Sequence, residues 1–457
     1  MKHLLKGGLV VGGSGPVRAD VLIDGEQVAA VGLNLDSMAQ QITDVTGMLL
    51  FPGFIDGHTH FDLDVCNTTT ADDFYSGSRS ALRGGTTTIV DFACPNKGES
   101  LRHGLDLWHQ KADGKAACDY GFHMTIDDWN PDIRRELPAM FDEGISTFKM
   151  YMTYPAMMIG DRDMFSAMEA LRDLGGLAGY HCENSGVIDA LIAQYLSTGD
   201  TGPGAHPLSR PAAAEAEAVS RLLRLAEIAE TPVIIVHLST AAALEEVRAA
   251  RRRGQTVFVE TCPHYLLLRD DVYFQEDYSQ AARYVCAPSI REVGNPEALL
   301  YGLANGEIQT IATDHCSFTL QQKDAGRGDF TKIPGGLPGV ETRGLLAYSL
   351  LVGGHVLDLG QLVQVLAENP AKLYGMWPRK GVIAPGSDAD IVVYDPKADT
   401  VITAEGQESR AGYTPFEGFQ TCGSIRSVYL RGSLAVDKGV VLAGSHGQYI
   451  HRDRPML

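Results

Sequence analysis

The segment PGFIDGHTHF, residues 52–61, predicts a buried strand that ends in two histidines, His58 and His60. Side chains at positions i and i+2 of a strand share a face, so both imidazoles point the same way. Two converging imidazoles suit a divalent metal ion, although such a pair can also be a hydrogen-bonded structural feature. Residues elsewhere in the chain help to distinguish a metal site from a structural histidine pair.

Similar strands recur along the middle of the chain and alternate with segments of helical periodicity. The β-rich runs are residues 51–58, 86–92, 120–126, 145–151, 177–181, 233–237, 257–260 and 308–314. The clearest helix is predicted over residues 210–230, with Ser209 as its cap, Pro211 in its first turn and Ile228 on its apolar face. Eight βα units predict an α/β fold, a TIM-type (β/α)8 barrel.

Both ends of the chain have a different pattern, in which short alternating strands are separated by Gly and Asp turns. We expect residues 1–50 and 381–445 to form one small β-sandwich domain, with the barrel of residues 51–380 inserted between them. The C-terminal tail, residues 446–457, has no periodicity. It is predicted to be either frayed or docked on a neighbouring subunit.

Composition and charge narrow the class of protein. The 457 residues carry 38 Lys and Arg against 57 Asp and Glu, a net charge of −19 that disfavours nucleic-acid and membrane partners. The sequence has no signal-peptide pattern and no apolar run of membrane-spanning length, which predicts a cytoplasmic protein. Eight scattered cysteines without a CxxC pair favour reduced, buried thiols. These features fit a small-molecule enzyme best.

The last residues of the predicted barrel strands carry the chemically informative side chains. In such barrels the active site is built at the carboxyl ends of the strands. Those positions are occupied by His58, His60, Lys149, His181, His237 and Asp314. A core histidine has no reason to prefer strand ends, so this clustering favours a metal centre over separate structural histidines.

Lys149 is the exception in this set, because an ammonium group repels a divalent cation. Taken alone, it could be a solvated or ion-paired lysine. A lysine carboxylated on its side-chain amine presents two carboxylate oxygens instead, and these can bridge two metal ions. A site with two metals generates hydroxide at neutral pH and polarises a carbonyl group.

Nine motifs make the sequence resemble the cyclic amidohydrolases, and within them the dihydropyrimidinase and D-hydantoinase (phenylhydantoinase) branch. The motifs are PGFIDGHTHF (52–61), GGTTTIVDF (84–92), GISTFKMYMTY (144–154), GYHCEN (179–184), IIVHLS (234–239), ETCPHYL (260–266), ATDHCSF (312–318), LPGVETR (337–343) and GSDADIVVYDP (386–396). The resemblance spans almost the whole chain. It implies a homo-oligomeric metal-dependent hydrolase, dimer or tetramer, that opens 5-substituted hydantoins and dihydropyrimidines to N-carbamoyl amino acids.

The same resemblance implies a site with two zinc ions, or other divalent metals, at the strand ends. His58, His60 and Asp314 look like ligands of one zinc ion, His181 and His237 like ligands of the second, and Lys149 like a bridging N6-carboxylysine. It further implies that a metal-bridging hydroxide attacks the ring carbonyl and that Asp314 transfers its proton to the leaving nitrogen.

Three more roles follow from the resemblance. Tyr154 looks like the donor to the developing oxyanion, and main-chain groups of Ser289 and Gly335 look like the holders of the ring amide. Relatives carry an Asn where Gly335 stands, and glycine loosens the loop. Loops 61–72 and 152–162 resemble the walls of the pocket for the 5-substituent, although their methionines could equally be core residues.

The sequence distinguishes three alternative functions to different degrees. Dihydroorotase is disfavoured because Asp62 stands where that enzyme usually has an arginine for the substrate carboxylate. Allantoinase uses the same metal frame and stays open, with the segment KIPGGLPGVE favouring a hydantoinase. A non-catalytic scaffold of the same fold is disfavoured because every metal-ligand position is occupied.

Overall fold

The computed structural model describes residues 2–444 and 446–457. Its strands are β1 (Lys2–Lys6), β2 (Leu9–Gly12), β3 (Gly15–Arg18), β4 (Asp20–Asp24), β5 (Gln27–Gly32), β6 (Gln41–Asp44), β7 (Leu49–Pro52), β8 (Phe54–Thr59), β9 (Asp64–Val65), β10 (Thr68–Thr69), β11 (Thr86–Ala93), β12 (Asp119–Thr125), β13 (Thr147–Tyr151), β14 (Leu177–His181), β15 (Val233–Ile235), β16 (Val257–Thr261), β17 (Thr310–Ile311), β18 (Ile391–Val401), β19 (Gln420–Leu430), β20 (Ser433–Asp437) and β21 (Val440–Val441).

Helices connect most of these strands. They are α1 (Phe74–Arg83), α2 (Leu101–Ala112), α3 (Pro131–Asp142), α4 (Asp161–Leu174), α5 (Ser185–Thr198), α6 (Ala205–Ser209), α7 (Ala212–Ala229), α8 (Ala241–Arg252), α9 (Pro263–Leu267), α10 (Tyr278–Ala282), α11 (Asn295–Ala304), α12 (Leu320–Asp324), α13 (Arg343–Leu346), α14 (Leu359–Val363) and α15 (Asn369–Leu373). Short 3-10 turns at Asp36–Met38, Asp270–Tyr273 and Phe330–Lys332 and π-helical turns at Ala347–Val352 and Gln364–Glu368 accompany them. Within the described ranges, no helix has both the length and the apolar character that crossing a membrane requires.

Eight parallel strands form the nearly closed barrel that the sequence predicts. Their order is β8, β11, β12, β13, β14, β15, β16 and β17. The first and last strands are joined by a parallel bridge between Thr59 and His315. There the His60 N–H donates to the His315 carbonyl oxygen at 2.8 Å. The residues that follow β8 and β17 are thereby brought side by side.

The observed strands differ from the predicted ones mainly at their ends. β8 begins only at Phe54, because the preceding β7 pairs with β18 in another sheet. β15 and β17 are shorter than predicted and stop before His237 and Asp314. These two residues have φ angles of 38° and 50°, so the chain leaves the extended conformation at those points.

Helix α7 lies within the predicted 210–230 segment, but two details of that prediction are wrong. Ser209 ends α6 and does not cap α7, whose first turn follows Pro211 without a side-chain cap. Ile228 is 69% exposed and not part of the buried face. Residue 228 is nine positions after the buried Val219, which places it about 180° around the helix.

The two ends of the chain form the predicted β-sandwich. One sheet has the order β5-β4-β1-β6, and the other has the order β21-β20-β19-β18-β7-β2-β3. In the second sheet, β7 from the N-terminal part pairs antiparallel with β18 from the C-terminal part. Between the sheets, Leu5 and Val21 pack in one core cluster with Leu50, Ile391 and Tyr429.

The cysteines follow the sequence prediction only in part. All eight are free, as expected. Cys66 and Cys422 are exposed and Cys94 is only half-buried, however, so the expectation that each cysteine is buried is wrong for these three.

The C-terminal tail packs against the barrel of its own chain, so the prediction that it is frayed is wrong. The Ile450 N–H donates to the Tyr120 carbonyl oxygen at 2.7 Å. Arg452 is 2% exposed, and its guanidinium donates to Thr147 Oγ1 at 2.8 Å and to the Phe122 carbonyl oxygen. The tail thus adds a buried cation to the barrel, and burial lowers the pKa of Arg452 to about 10.

We expect Arg452→Ala to lower the free energy of unfolding by about 2–4 kcal/mol, because buried acceptors lose their donors. Arg454 lies in the same tail but is exposed, so Arg454→Ala should change that free energy by at most about 0.5 kcal/mol. Denaturant unfolding of both variants beside the wild type measures the difference. Equal losses in the two variants would contradict a specific role for the Arg452 guanidinium.

Candidate active site

The carboxyl ends of the barrel strands surround one cavity of about 400 Å³. All six side chains predicted from the strand ends line it: His58, His60, Lys149, His181, His237 and Asp314. They come from five different strands and the turns that follow them. The barrel therefore gathers at one place residues that are far apart in sequence.

Asp314 stands between the two histidines of the first strand. Its Oδ1 lies 3.2 Å from His58 Nε2 and 3.1 Å from His60 Nε2. One ligand atom each of His58, His237 and Asp314 lies within 4.8 Å of the other two. The His181 ring is next to this set, with its centroid 4.5 Å from that of His237.

The chemistry of these atoms fits a divalent metal ion. His58 Nε2 and His237 Nδ1 are buried and have no hydrogen-bond partner among the described residues. Buried polar atoms are rarely left unsatisfied, and imidazole nitrogens around a carboxylate are typical zinc ligands. Burial also holds the pKa of His58 and of His237 well below the usual value, which keeps both imidazoles neutral and able to bind metal.

Asp314 is ionised in this surrounding. Burial alone would raise its pKa, but the neighbouring His58 and His60 hold that pKa well below the usual value. Its carboxylate therefore offers a full negative charge beside the buried imidazoles. A charged oxygen at this position can bind a cation or accept a proton.

Glu260 is a functional candidate that the sequence analysis did not identify. Its Oε1 lies 2.7 Å from His58 Nδ1 and accepts a hydrogen bond from the His237 main-chain N–H at 3.2 Å. A carboxylate on one ring nitrogen fixes the tautomer and leaves the other nitrogen free for a metal. The sequence does contain one indication of this role, because Glu260 is an acidic residue at the end of the seventh predicted strand.

A second carboxylate supports His181 in a similar way. Glu183 Oε2 lies 2.8 Å from His181 Nε2 and accepts a hydrogen bond from Arg210 Nη1 at 2.6 Å. Burial would raise the pKa of Glu183, but Arg210 and then His181 hold it below the usual value. The ring of His181 is thus oriented by an ionised partner.

Lys149 is neither solvated nor ion-paired, so the simple alternatives for it are wrong. It is 1% exposed, and within the described part of the chain its ammonium forms no salt bridge. The nitrogen lies 5.1 Å from the ring centroids of both Phe92 and Tyr151. Burial lowers the pKa of Lys149 to about 8, against the opposing attraction of nearby carboxylates.

Tyr154 lies on the cavity wall with a φ of 67°. Its ring centroid is 5.1 Å from that of His181, and the Arg210 guanidinium lies 5.8 Å from the ring. Burial raises the pKa of Tyr154, so its hydroxyl remains protonated and can donate a hydrogen bond.

Only one of the two residues predicted to hold the substrate through main-chain groups lies on the cavity wall. Gly335 lines the cavity, whereas Ser289 is fully buried behind the wall, with its hydroxyl accepting from Arg291 Nη1 at 3.1 Å. Ala287, two residues before Ser289, does line the cavity.

The outer wall of the cavity is apolar and only partly predicted. Leu63, Val65 and Met157 lie on it as expected, whereas Met158 and Ile159 do not. The wall also contains Ile192, Phe330 and Ile333, which sequence analysis missed. Ile192 lies in α5, whereas Phe330 and Ile333 belong to one short segment far from it in sequence, so no local pattern marks the three together.

The chain is similar to known proteins in family, sequence and structure. The model of the amidohydrolase family matches residues 49–435. A D-hydantoinase of Geobacillus stearothermophilus is 42% identical, covering 99% of this chain and 97% of the relative. A D-phenylhydantoinase of Escherichia coli is 39% identical, covering 99% and 98%. The crystal structure of dihydropyrimidinase from Brevibacillus agri superposes with a TM-score of 0.98 at 41% identity, covering 100% and 99%.

Proposed function

The chain belongs to the amidohydrolase family and opens the rings of cyclic amides by hydrolysis, and from this premise we propose that it is a binuclear zinc hydantoinase. Its substrates in this proposal are 5-substituted hydantoins and dihydropyrimidines, which leave as N-carbamoyl amino acids. Lys149, with its side-chain amine carboxylated, would help to hold both zinc ions.

The observation that carries the metal part of the proposal is the convergence of His58, His237 and Asp314 within 4.8 Å. His60 and His181 lie beside them and complete a donor set for two ions. Lys149 is buried in the same cavity without an anionic partner, and as a carbamate it adds the negative charge that two cations require.

Different residues of the chain act at different steps of the reaction. When bound, two zinc ions supply a hydroxide nucleophile at neutral pH and polarise the ring carbonyl. Asp314 accepts the proton released on attack and returns it to the leaving ring nitrogen. Tyr154 donates its hydroxyl proton in a hydrogen bond to the oxygen that becomes negative. Main-chain groups near Ser289 and Gly335 hold the ring amide in place.

The apolar wall supports a preference for bulky 5-substituents. Leu63, Met157 and Phe330 present apolar and aromatic surface to the cavity. Methionine repacks readily around different shapes, so an aromatic substituent is accommodated at little cost. The names of the D-hydantoinase and D-phenylhydantoinase relatives agree with this preference. Neither an allantoinase nor a scaffold is favoured by these relatives.

The first test is ring opening by purified, zinc-loaded protein on dihydrouracil, phenylhydantoin, allantoin and dihydroorotate, with metal counted on the same sample. We expect turnover of the first two substrates and about two metal ions per chain. Turnover of allantoin alone would contradict the proposed substrates. Absence of both metal and turnover would instead support a scaffold.

Tyr154→Phe should lower kcat because the oxyanion loses a hydrogen-bond donor. The expected cost is about 2.7–4 kcal/mol of transition-state stabilisation. Tyr301→Phe is the matched control, since that side chain is 63% exposed and keeps wild-type kinetics. Steady-state kinetics on phenylhydantoin measure both variants, and an unchanged kcat in Tyr154→Phe would refute the assigned role.

Glu260→Gln should weaken metal binding, because a neutral amide orients the His58 imidazole less firmly than a carboxylate does. Loss of such a partner typically costs roughly 10–100-fold in metal affinity. Glu276 is exposed, and Glu276→Gln provides the control. Competition with a chelator measures the affinity, and equal values for both variants would show that Glu260 does not support the metal site.

A further inference from the structure

Lys323, in helix α12, is a fully buried lysine outside the candidate metal site. Its ammonium donates to the carbonyl oxygens of Val285 at 2.6 Å, Pro334 at 2.7 Å and Gly336 at 2.8 Å. An ammonium group has three N–H donors, so each of them is used. Within the described ranges it forms no salt bridge, and its charge is stabilised by these carbonyl dipoles and by the Phe318 ring, whose centroid lies 5.6 Å from the nitrogen.

The three carbonyl groups belong to two segments that meet at the cavity. Gly335 and Gly336 line the cavity, and so does Ala287, which follows Val285 by two residues. The two segments also contact each other directly, because the Gly336 N–H donates to the Val285 carbonyl oxygen at 3.0 Å. Lys323 therefore ties residues 285–289 to residues 334–337.

Peptide geometry shows what this tie does to the cavity wall. In a trans peptide the carbonyl and the N–H point in opposite directions. Because the Pro334 carbonyl faces Lys323, the N–H of Gly335 faces away from Lys323. Among the described residues this N–H donates no hydrogen bond. Gly335 thus carries a free main-chain donor on the cavity wall.

Side-chain packing does not fix this donor. A Cβ atom added at Gly335 would have no neighbour nearer than 3.9 Å, so the loop has open space there. At Gly336, by contrast, an added Cβ would lie 2.3 Å from the Cys316 carbonyl oxygen. The loop is therefore held by main-chain contacts, and Lys323 provides two of them.

We propose that Lys323 is a positioning residue that sets the main-chain wall of residues 285–289 and 334–337, so that the Gly335 N–H meets the amide of the substrate ring. Lys323 itself does not touch the substrate. The identity of the ligand as a cyclic amide rests on the proposed function, whereas the positioning of the wall does not.

The test compares Lys323→Met with Lys332→Met in the zinc-loaded protein. Lys332 lies near the same loop, but its side chain is 71% exposed. In Lys323→Met we expect amide hydrogen exchange of residues 333–337 to rise at least tenfold, with wild-type protection elsewhere. We also expect the KM for phenylhydantoin to rise at least tenfold, kcat to fall less than threefold, and metal content to stay unchanged. Lys332→Met should match the wild type.

Gly336→Ala provides an independent variant if Lys323→Met does not fold. Its methyl group collides with the Cys316 carbonyl and displaces the loop while Lys323 is intact, so the same rise in exchange and in KM is expected. In the double variant the two effects should not add, because both act on one contact.

Unchanged exchange at residues 333–337 in Lys323→Met would overturn the proposal, as would a loss of metal content and kcat in a folded Lys323→Met variant. If the wild type opens none of the four cyclic amides, the proposed function fails. The exchange measurement still decides in that case whether Lys323 positions the wall.

Discussion

Asp314→Asn is expected to lower kcat by roughly 10²–10⁴-fold, the range that loss of a general acid–base group typically produces. The ionised carboxylate of Asp314 lies 3.2 Å from His58 and 3.1 Å from His60. An amide in its place cannot accept a proton from the nucleophile or return one to the leaving nitrogen. Asparagine tolerates the φ of 50° at this position, so the backbone conformation is kept.

Asp399→Asn is the control, because Asp399 is exposed in β18 and does not line the cavity. We expect wild-type kinetics from it. Metal content measured on the same samples separates loss of proton transfer from loss of metal. Wild-type turnover in Asp314→Asn would contradict the assigned role, and so would an equal loss in the control.

Lys149→Ala is expected to lose metal and turnover together. The loss should exceed the roughly 10–100-fold that removal of an outer partner of a ligand costs, because in the proposed site Lys149 bridges two ions. The truncation also leaves space in a buried part of the cavity, where Lys149 is 1% exposed. A short carboxylic acid such as acetate or propionate fits there and provides the missing carboxylate.

We therefore expect partial recovery of turnover and of metal content when Lys149→Ala is incubated with zinc and a short carboxylic acid. Lys115→Ala, at an exposed lysine, should retain full activity and show no response to the acid. Absence of any recovery across a series of acids would argue against a carboxylated Lys149. Full activity in Lys149→Ala would rule out the bridge altogether.

The barrel could be predicted because each of its strands has a recognisable local sequence pattern. β14, Leu177–His181, has the predicted bounds, since a strand buried on both faces appears as a continuous apolar run. The ends of β15 and β17 could not be predicted in the same way. These strands stop two and three residues before His237 and Asp314, whose positive φ angles no local sequence pattern predicts.

The candidate ligands could be predicted because histidines and an aspartate at strand ends are unusual. The residues that hydrogen-bond to these ligands could not be predicted in the same way. Glu260 is 202 residues away from His58 in sequence, and only the closed barrel brings the carboxylate to the imidazole. Lys323 stands in the polar segment QQKDAGRGD, which predicts a solvated lysine. Two other segments of the chain pack over Lys323 and bury it. No periodicity in the sequence predicts this packing.

The pairing of β7 with β18 has a consequence for the order of folding during synthesis. β7 ends at residue 52 and β18 begins at residue 391, so the ribosome must add about 340 residues before the partner strand exists. Until then β7 can pair only with β2 on one side, and its other edge is open to other chains. Pairings of such long sequence separation form slowly. We therefore expect aggregation of nascent or refolding chains to begin at the β-sandwich rather than in the barrel, and a chaperone to improve yield most at that stage.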